Sequence, residues 1–184
     1  PEAARSPLTQ NTLQLYDLAI LPHREGEVDA PLPEGVDRVW VGPIVVRDRT
    51  ETVPRVDARK RLGLPAEGRI VYVSFGGGGD RDGAAAMETV VDALGELPNV
   101  HTAIAAAPLY RGDLPRRSGA TVVWHYPMAE MLPAYDAAVS ACGYNSAMEL
   151  AHHGVPTAFV PFRRQVDDQE KRAREIAEAG AGLA

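Results

Sequence analysis

The chain has 184 residues, 45% of them hydrophobic and 24% charged, with a formal net charge of −6. This suffices for one full-sized α/β core, and the acidic balance argues against non-specific nucleic-acid binding. One cysteine, Cys142, excludes an intrachain disulfide, and no apolar run approaches the roughly 20 residues of a membrane-spanning helix. A reducing, cytoplasmic setting is therefore expected.

Both ends read as cut from a longer chain. The opening, Pro1–Gln10, is polar, and Asp17–Pro22 reads as a short buried strand with no full helix before it. From Arg24 to Val53, prolines and glycines interrupt everything except Arg38–Val46, which Gly42–Pro43 breaks. This region reads as a linker with one or two short strands. Val56–Leu62 has room for one or two helical turns before Gly63.

From Gly68 onward the pattern is regular. Ile70–Phe75 is a β-branched and aromatic run, hence a buried strand, and Gly76–Gly79 follows as a loop. Met87, Val90, Val91 and Leu94 fall at i, i+3, i+4 and i+7, which predicts a helix over Ala84–Leu94. Strands are expected at Val100–Ala107, Thr121–Trp124, Ala137–Ser140 and Thr157–Val160. Helices are expected at Pro127–Ala134 (ended by Pro133), Ser146–His153 (stopped by Gly154) and Asp168–Ala179 (closed by Gly180). Gly180–Ala184 looks like the beginning of another strand. Alternating strands and helices imply a Rossmann-like parallel sheet with helices on both faces. Ligands then sit beyond the C-terminal strand ends.

Four loops at those ends carry the unusual residues. Gly76, Gly77, Gly78 and Gly79 let backbone approach a ligand closely, and their N–H groups can point at an anion. They fit neither a dinucleotide fingerprint nor a Walker A loop, because Arg81 or Asp82 stands at the third glycine position and no Gly-Lys-Ser/Thr follows. A plain flexible turn is the alternative. Trp124, His125 and Met128 offer a flat apolar slot for a nucleobase, although core packing explains the neighbouring Met131 and Leu132 better.

In the third loop, Gly143, Asn145 and Ser146 open a helix whose first-turn N–H donors and dipole suit a diphosphate. Glu149 lies on the same face as Ser146, placed to accept from two ribose hydroxyls. Ser146-x-x-Glu149 equally fits a capping box, which would only satisfy the helix start. Cys142 reads as a small buried residue rather than a nucleophile. His152 and His153 read as C-terminal helix residues facing the dipole, without further ligands for a metal. In the fourth loop Asp167 can cap the next helix, with Glu170 at box spacing. Asp168 and Gln169 can together bond several sugar hydroxyls, and Arg163 and Arg164 are either a solvated pair or phosphate aids.

The order Pro127…Leu132, Cys142-Gly143-Tyr144-Asn145-Ser146-x-x-Glu149, Gly154-Val155-Pro156, Pro161, Asp168-Gln169 resembles the C-terminal donor-binding domain of UDP-glycosyltransferases. It is most similar to the bacterial peptidoglycan N-acetylglucosaminyltransferase type and related family 28 enzymes. Plant natural-product glycosyltransferases share the donor-box spacing, with Trp where this chain has Tyr144. The resemblance runs from about Ile70 to Ala184. It implies one half of a GT-B fold, with residues 1–53 as the tail of an acceptor domain plus linker and 54–184 as a donor-binding domain truncated at its C-terminus.

By the resemblance, Gly76–Gly79 lie near the diphosphate, Trp124 and His125 flank the base with Met128 nearby, and Gly143, Asn145 and Ser146 sit at the diphosphate. Glu149 holds the ribose, and Asp168 and Gln169 hold the donor sugar. Two departures touch the subfamily and the sugar: Gly78-Gly79-Asp80 replaces a Ser-Gln-Gly type of continuation, and the loop before Asp168 is one residue longer.

The resemblance implies hexosyl transfer from a UDP-sugar by inversion, with the catalytic base in the absent N-terminal domain and neither cofactor nor metal. Expected partners are the nucleotide-sugar and an acceptor domain or partner chain. Docking of the full enzyme on the inner membrane face is left open. The chain alone is expected to bind nucleotide and transfer sugar poorly. Two alternatives remain: the donor-binding subunit of a split transferase, and a nucleotide-sugar epimerase or hydrolase of the same fold.

Overall fold

A computed structural model describes residues 11–76, 81–105, 114–164 and 167–184, with backbone alone at 81 and 82. The chain groups into two compact units. One takes residues up to Ile44 together with 163–168; the other takes Val45–Phe162 with Gln169–Ala184.

In the first unit, β1 (Leu18–Leu21) and β2 (Asp37–Trp40) pair in parallel, with Leu18 opposite Asp37. The strand expected at Asp17–Pro22 is present, but it is not buried. Leu18 and Ile20 are 47% and 60% exposed. The physical reason is that, among the described residues, β1 pairs with β2 alone, and a two-stranded sheet encloses no core of its own.

The second unit begins with α1 (Arg55–Arg61) and continues through β3 (Arg69–Ser74), α2 (Arg81–Gly95), β4 (Val100–Ala105) and β5 (Ala120–Val123). Then come a 3-10 turn (Met128–Ala134), β6 (Ala137–Ser140), α3 (Tyr144–His153), β7 (Thr157–Phe159) and α4 (Gln169–Glu178). The five strands are all parallel, in the order β5-β4-β3-β6-β7. From the central β3 the chain moves outward through β4 and β5, then returns to the other side of β3. Strand order therefore reverses between β3 and β6, and that switch point is where a doubly wound sheet opens a ligand crevice.

Alternation along β3 feeds two cores. Ile70 and Tyr72 join Leu62, Met131, Leu150 and Ile176 on one face. Val73 and Phe75 join Met87, Val91 and Ile104 on the other. So α1, α3, α4 and the 3-10 turn cover one face and α2 the other, as the alternating pattern predicts.

Three boundaries differ from expectation. Pro133 does not end a helix but lies inside the 3-10 turn. Its missing N–H leaves the Glu130 carbonyl for another donor, and Val53 N–H takes it at 2.8 Å. Helix α3 starts at Tyr144, two residues before Ser146, because Gly143 takes the extended N-cap conformation. Helix α4 starts at Gln169, so its flanking residue is Asp168 rather than the Asp167 expected to cap it. At the C-terminus, the strand-like start expected at Gly180–Ala184 appears as a parallel bridge from Leu183 to Ala158.

Candidate functional site

The C-terminal ends of β3 and β6 lie side by side at the switch point. Ala141 N–H donates to Ser74 O at 3.1 Å, extending the β3–β6 ladder to the ends of both strands. Gly76 turns away from β3 with φ of +82°, a conformation that strains any side chain. Gly77, Gly78 and Gly79 lie outside the described residues.

Beyond β6, Cys142 is fully buried, and Gly143 caps α3 without any side-chain hydrogen bond. The first intrahelical bond runs from Ala147 N–H to Gly143 O at 2.9 Å. The N–H groups of Asn145 and Ser146 therefore precede the first intrahelical donor and suit an anion. Ser146 stands at the third helical position, inside the first turn, where a side chain cannot serve as the cap. The capping-box reading of Ser146-x-x-Glu149 is thereby overturned.

Glu149, half-buried on the next turn of α3, is left without that structural duty. Burial pushes its carboxyl above the ordinary range, and a hydrogen bond from the Val46 backbone N–H offsets part of the rise. Burial, opposed by a Ser74 side-chain hydrogen bond and reinforced by the charge of Glu149, pushes the nearby Tyr72 hydroxyl up to about 12. The segment that supplies Val46 is fastened to the same helix elsewhere. Arg47 O meets His153 Nε2 at 3.1 Å, Asp48 lies 3.4 Å from His152 Nε2, and Arg49 Nε bonds His152 O. The two histidines are in the last turn of α3, as expected, and they anchor this segment as well.

Helix α4 also contacts the start of α3. Gln169 is buried; its Oε1 accepts from Phe162 N–H at 3.0 Å, and its Nε2 lies 4.0 Å from where a Cβ on Gly143 would stand. Three residues on, Arg172 donates from Nη1 to Cys142 O at 2.6 Å and stacks its guanidinium 5.2 Å from the Tyr144 ring centre. Arg172 was missed in the sequence. The available signal was its i+3 spacing from Gln169, which puts both on one helical face. Asp168, in contrast, is exposed and groups with the first unit.

The Trp124–Met128 loop follows β5. Trp124 is 62% exposed. His125 Nε2 lies 3.2 Å from Glu130 Oε2, and Arg47 Nε donates to Glu130 Oε1 at 2.8 Å. Met128 packs on the main core and accepts from Tyr135 OH at 3.3 Å, so packing accounts for its position. Among the described residues no group of three or more His, Cys, Asp or Glu side chains is placed to hold a metal ion.

This doubly wound sheet, with an open helix start at its switch point, is the Rossmann-like C-terminal half of a GT-B glycosyltransferase. Residues 117–184 match the model of the glycosyltransferase family 28 C-terminal domain, and the chain carries that domain. A UDP-N-acetylglucosamine--N-acetylmuramyl-(pentapeptide) pyrophosphoryl-undecaprenol N-acetylglucosamine transferase from Aquifex aeolicus is 30% identical over 157 residues, covering 82% of this chain and 44% of that protein. The glycotransferase of kitacinnamycin superposes with a TM-score of 0.62 at 22% identity, over 92% of this chain and 42% of its own. The spinosyn rhamnosyltransferase SpnG, solved with thymidine diphosphate, gives 0.55 at 25% identity over 86% and 45%. The chain thus spans less than half the length of each of these three relatives.

Proposed function

We propose that this chain binds a UDP-linked hexose in the crevice between β3 and β6 and serves its transfer to an acceptor held by a second domain or partner chain. The observation that carries this reading is the start of α3. Gly143 caps it with no side chain, Gln169 and Arg172 lie against it, and Glu149 follows on the next turn of the helix. Asn145 and Ser146 N–H groups would hold the diphosphate with the helix dipole behind them. Glu149 would take the ribose hydroxyls, Trp124 and His125 the base, and Gln169 with Asp168 the sugar. Gly76–Gly79 would lie near the diphosphate.

In this scheme catalysis by the chain is leaving-group stabilisation. Negative charge grows on the departing diphosphate, and donors already aimed there stabilise it without reorganising. Arg172 would add positive charge beside those donors, and the scheme calls for no metal. The base that activates the acceptor would come from the other domain. The Aquifex relative's name, with its UDP-N-acetylglucosamine donor, supports a UDP-linked substrate.

Calorimetric titration of the 184-residue chain with UDP, TDP, GDP and ADP tests the reading. Saturable binding of UDP is expected, weakened by about 1–3 kcal/mol in Glu149→Ala through loss of a charge-assisted hydrogen bond. Failure of every nucleotide to bind would sink it.

A further inference from the structure

The segment from Val46 to Val53 is fastened at both ends to the 3-10 turn that carries Glu130. Arg47 Nε donates to Glu130 Oε1 at 2.8 Å, and Val53 N–H donates to the Glu130 carbonyl at 2.8 Å. Between them a short 3-10 turn, Arg49–Glu51, is closed by its own cap. Asp48 Oδ1 accepts from Thr50 N–H at 3.0 Å, and Asp48 N–H donates to Glu51 Oε2 at 2.8 Å. The backbone of this strap is therefore fixed before any ligand arrives.

The strap lies in register along one face of α3. Glu149 and His153 stand four residues apart, hence on the same face of the helix. Val46 and Arg47, adjacent on the strap, meet that face in turn. Val46 N–H donates to the Glu149 carboxylate, and Arg47 O takes His153 Nε2 at 3.1 Å. A carbonyl oxygen only accepts, so His153 Nε2 carries the proton. Arg49 Nε bonds the carbonyl of the neighbouring His152. The Val46 side chain is 47% exposed, so what Val46 brings to this contact is its backbone.

From this register we propose that His153 is a positioning residue: by gripping the strap at Arg47 it holds the Val46 N–H on Glu149 and so sets that carboxylate for the ribose hydroxyls. The inference rests on the reading above that Glu149 takes the ribose. Val46 uses one lone pair of a carboxylate that offers about four, so two hydroxyls still find acceptors. A side chain already held loses less freedom when the ligand arrives. An N–H on the carboxylate also favours its ionised form, which only accepts.

UDP and its 2′,3′-dideoxy analogue differ only in the two ribose hydroxyls, so the ratio of their affinities reads the Glu149 contact. Calorimetric titrations would compare the wild-type chain with His153→Phe, which keeps a ring without a donor, and Val46→Pro, which has no backbone N–H. His153→Gln, whose amide can still donate, is the conservative variant. Glu149→Ala, alone and combined with His153→Phe, completes a double-mutant cycle, and circular dichroism confirms folding. The wild type should favour UDP by about tenfold or more. His153→Phe and Val46→Pro should each cut that ratio by about fivefold, the scale of one side chain's lost preorganisation, and leave dideoxy binding near its wild-type value. His153→Gln should keep part of the ratio. On the Glu149→Ala background, His153→Phe should cost nothing further.

Folded His153→Phe and Val46→Pro variants that keep the wild-type ratio, or that weaken both ligands equally, overturn the positioning role and leave Glu149 as a ribose ligand. So does a further loss from His153→Phe on the Glu149→Ala background. A wild type that binds neither ligand or shows no preference, or a folded Glu149→Ala that keeps the preference, overturns the ribose reading and this inference together. If one of the two strap variants does not fold, the other decides.

Discussion

The Glu149 carboxylate, half-buried on α3, takes a hydrogen bond from the Val46 backbone N–H, one residue before the arginine that grips Glu130. The bond does not fully offset burial, and the carboxyl remains above its ordinary value of 4.5. A raised carboxyl favours the protonated form in the folded chain. Its contribution to stability is therefore fully present below the unfolded value and is lost as pH rises through the folded one. Glu149→Gln keeps an acceptor for Val46 and removes the charge. The expected result is a melting temperature at pH 7 higher by on the order of 1–2 °C, a gain that disappears near pH 4, together with weaker UDP binding. Thermal melts at the two pH values and a UDP titration check this. A variant less stable than wild type at pH 7 would contradict it.

Arg172 holds a full positive charge against the carbonyl that precedes the α3 cap and against the Tyr144 ring. Positive charge at a helix start is unfavourable until an anion arrives, so its benefit should appear with the phosphates. Arg172→Leu should weaken UDP more than uridine and flatten the salt dependence of UDP binding. Titrations of both ligands at two salt concentrations measure it. Equal losses for UDP and uridine would assign Arg172 to packing alone.

The sheet was legible because its strands are short, mainly apolar runs set between turn residues and helices, and Ala137–Ser140 matched residue for residue. Less visible was what starts a helix. Ser146 and Glu149 have capping-box spacing, yet Gly143 took the cap, because extended backbone there lets Tyr144 open the helix. That two-residue difference removed the capping alternative for Glu149, which the sequence had offered beside the ribose reading. Long-range partners left even less trace. Nothing local marks Arg47 as the partner of Glu130, 83 residues away, or Arg172 as the partner of Cys142. The exposure of Leu18 and Ile20 was hidden for the opposite reason. An apolar strand reads as buried whether or not a layer covers it.

At the N-terminal end of β3, Arg59 is almost fully buried and spends its guanidinium on the carbonyls of Ala134, Ala66 and Gly68 and on Asp136. Burial alone would raise the Asp136 carboxyl, but Ile70 N–H, Arg55 and Arg59 bring it below its ordinary 3.8. A depressed carboxyl contributes stability above its unfolded value and loses it as pH falls through the folded one. Arg59→Met should cost about 3–5 kcal/mol, because Asp136 and three carbonyls lose a donor. Asp136→Asn should lower stability at pH 7 and narrow its gap to wild type below pH 3.8. Urea denaturation across pH tests both. A loss for Asp136→Asn that is constant with pH would show that its charge is not the cause.

Gly182 is the tightest glycine with described surroundings. A Cβ there would stand 2.9 Å from Thr157 O, 3.0 Å from Phe159 and 3.3 Å from Ile176. The segment is held by Leu183, whose N–H and carbonyl bond Thr157 O at 2.9 Å and Phe159 N–H at 2.8 Å. The closest obstacle is a backbone oxygen of a sheet strand, which cannot rotate aside as a side chain would. Gly182→Ala must therefore push the tail off β7 or strain it, at a cost of about 1–3 kcal/mol. Hydrogen exchange at the Phe159 amide, whose acceptor is Leu183 O, should quicken in the variant. Nucleotide affinity should hold, since β7 is the outer strand, one removed from the β3–β6 crevice. An unchanged Phe159 exchange rate with wild-type stability would mean that the tail is not held against β7 as described.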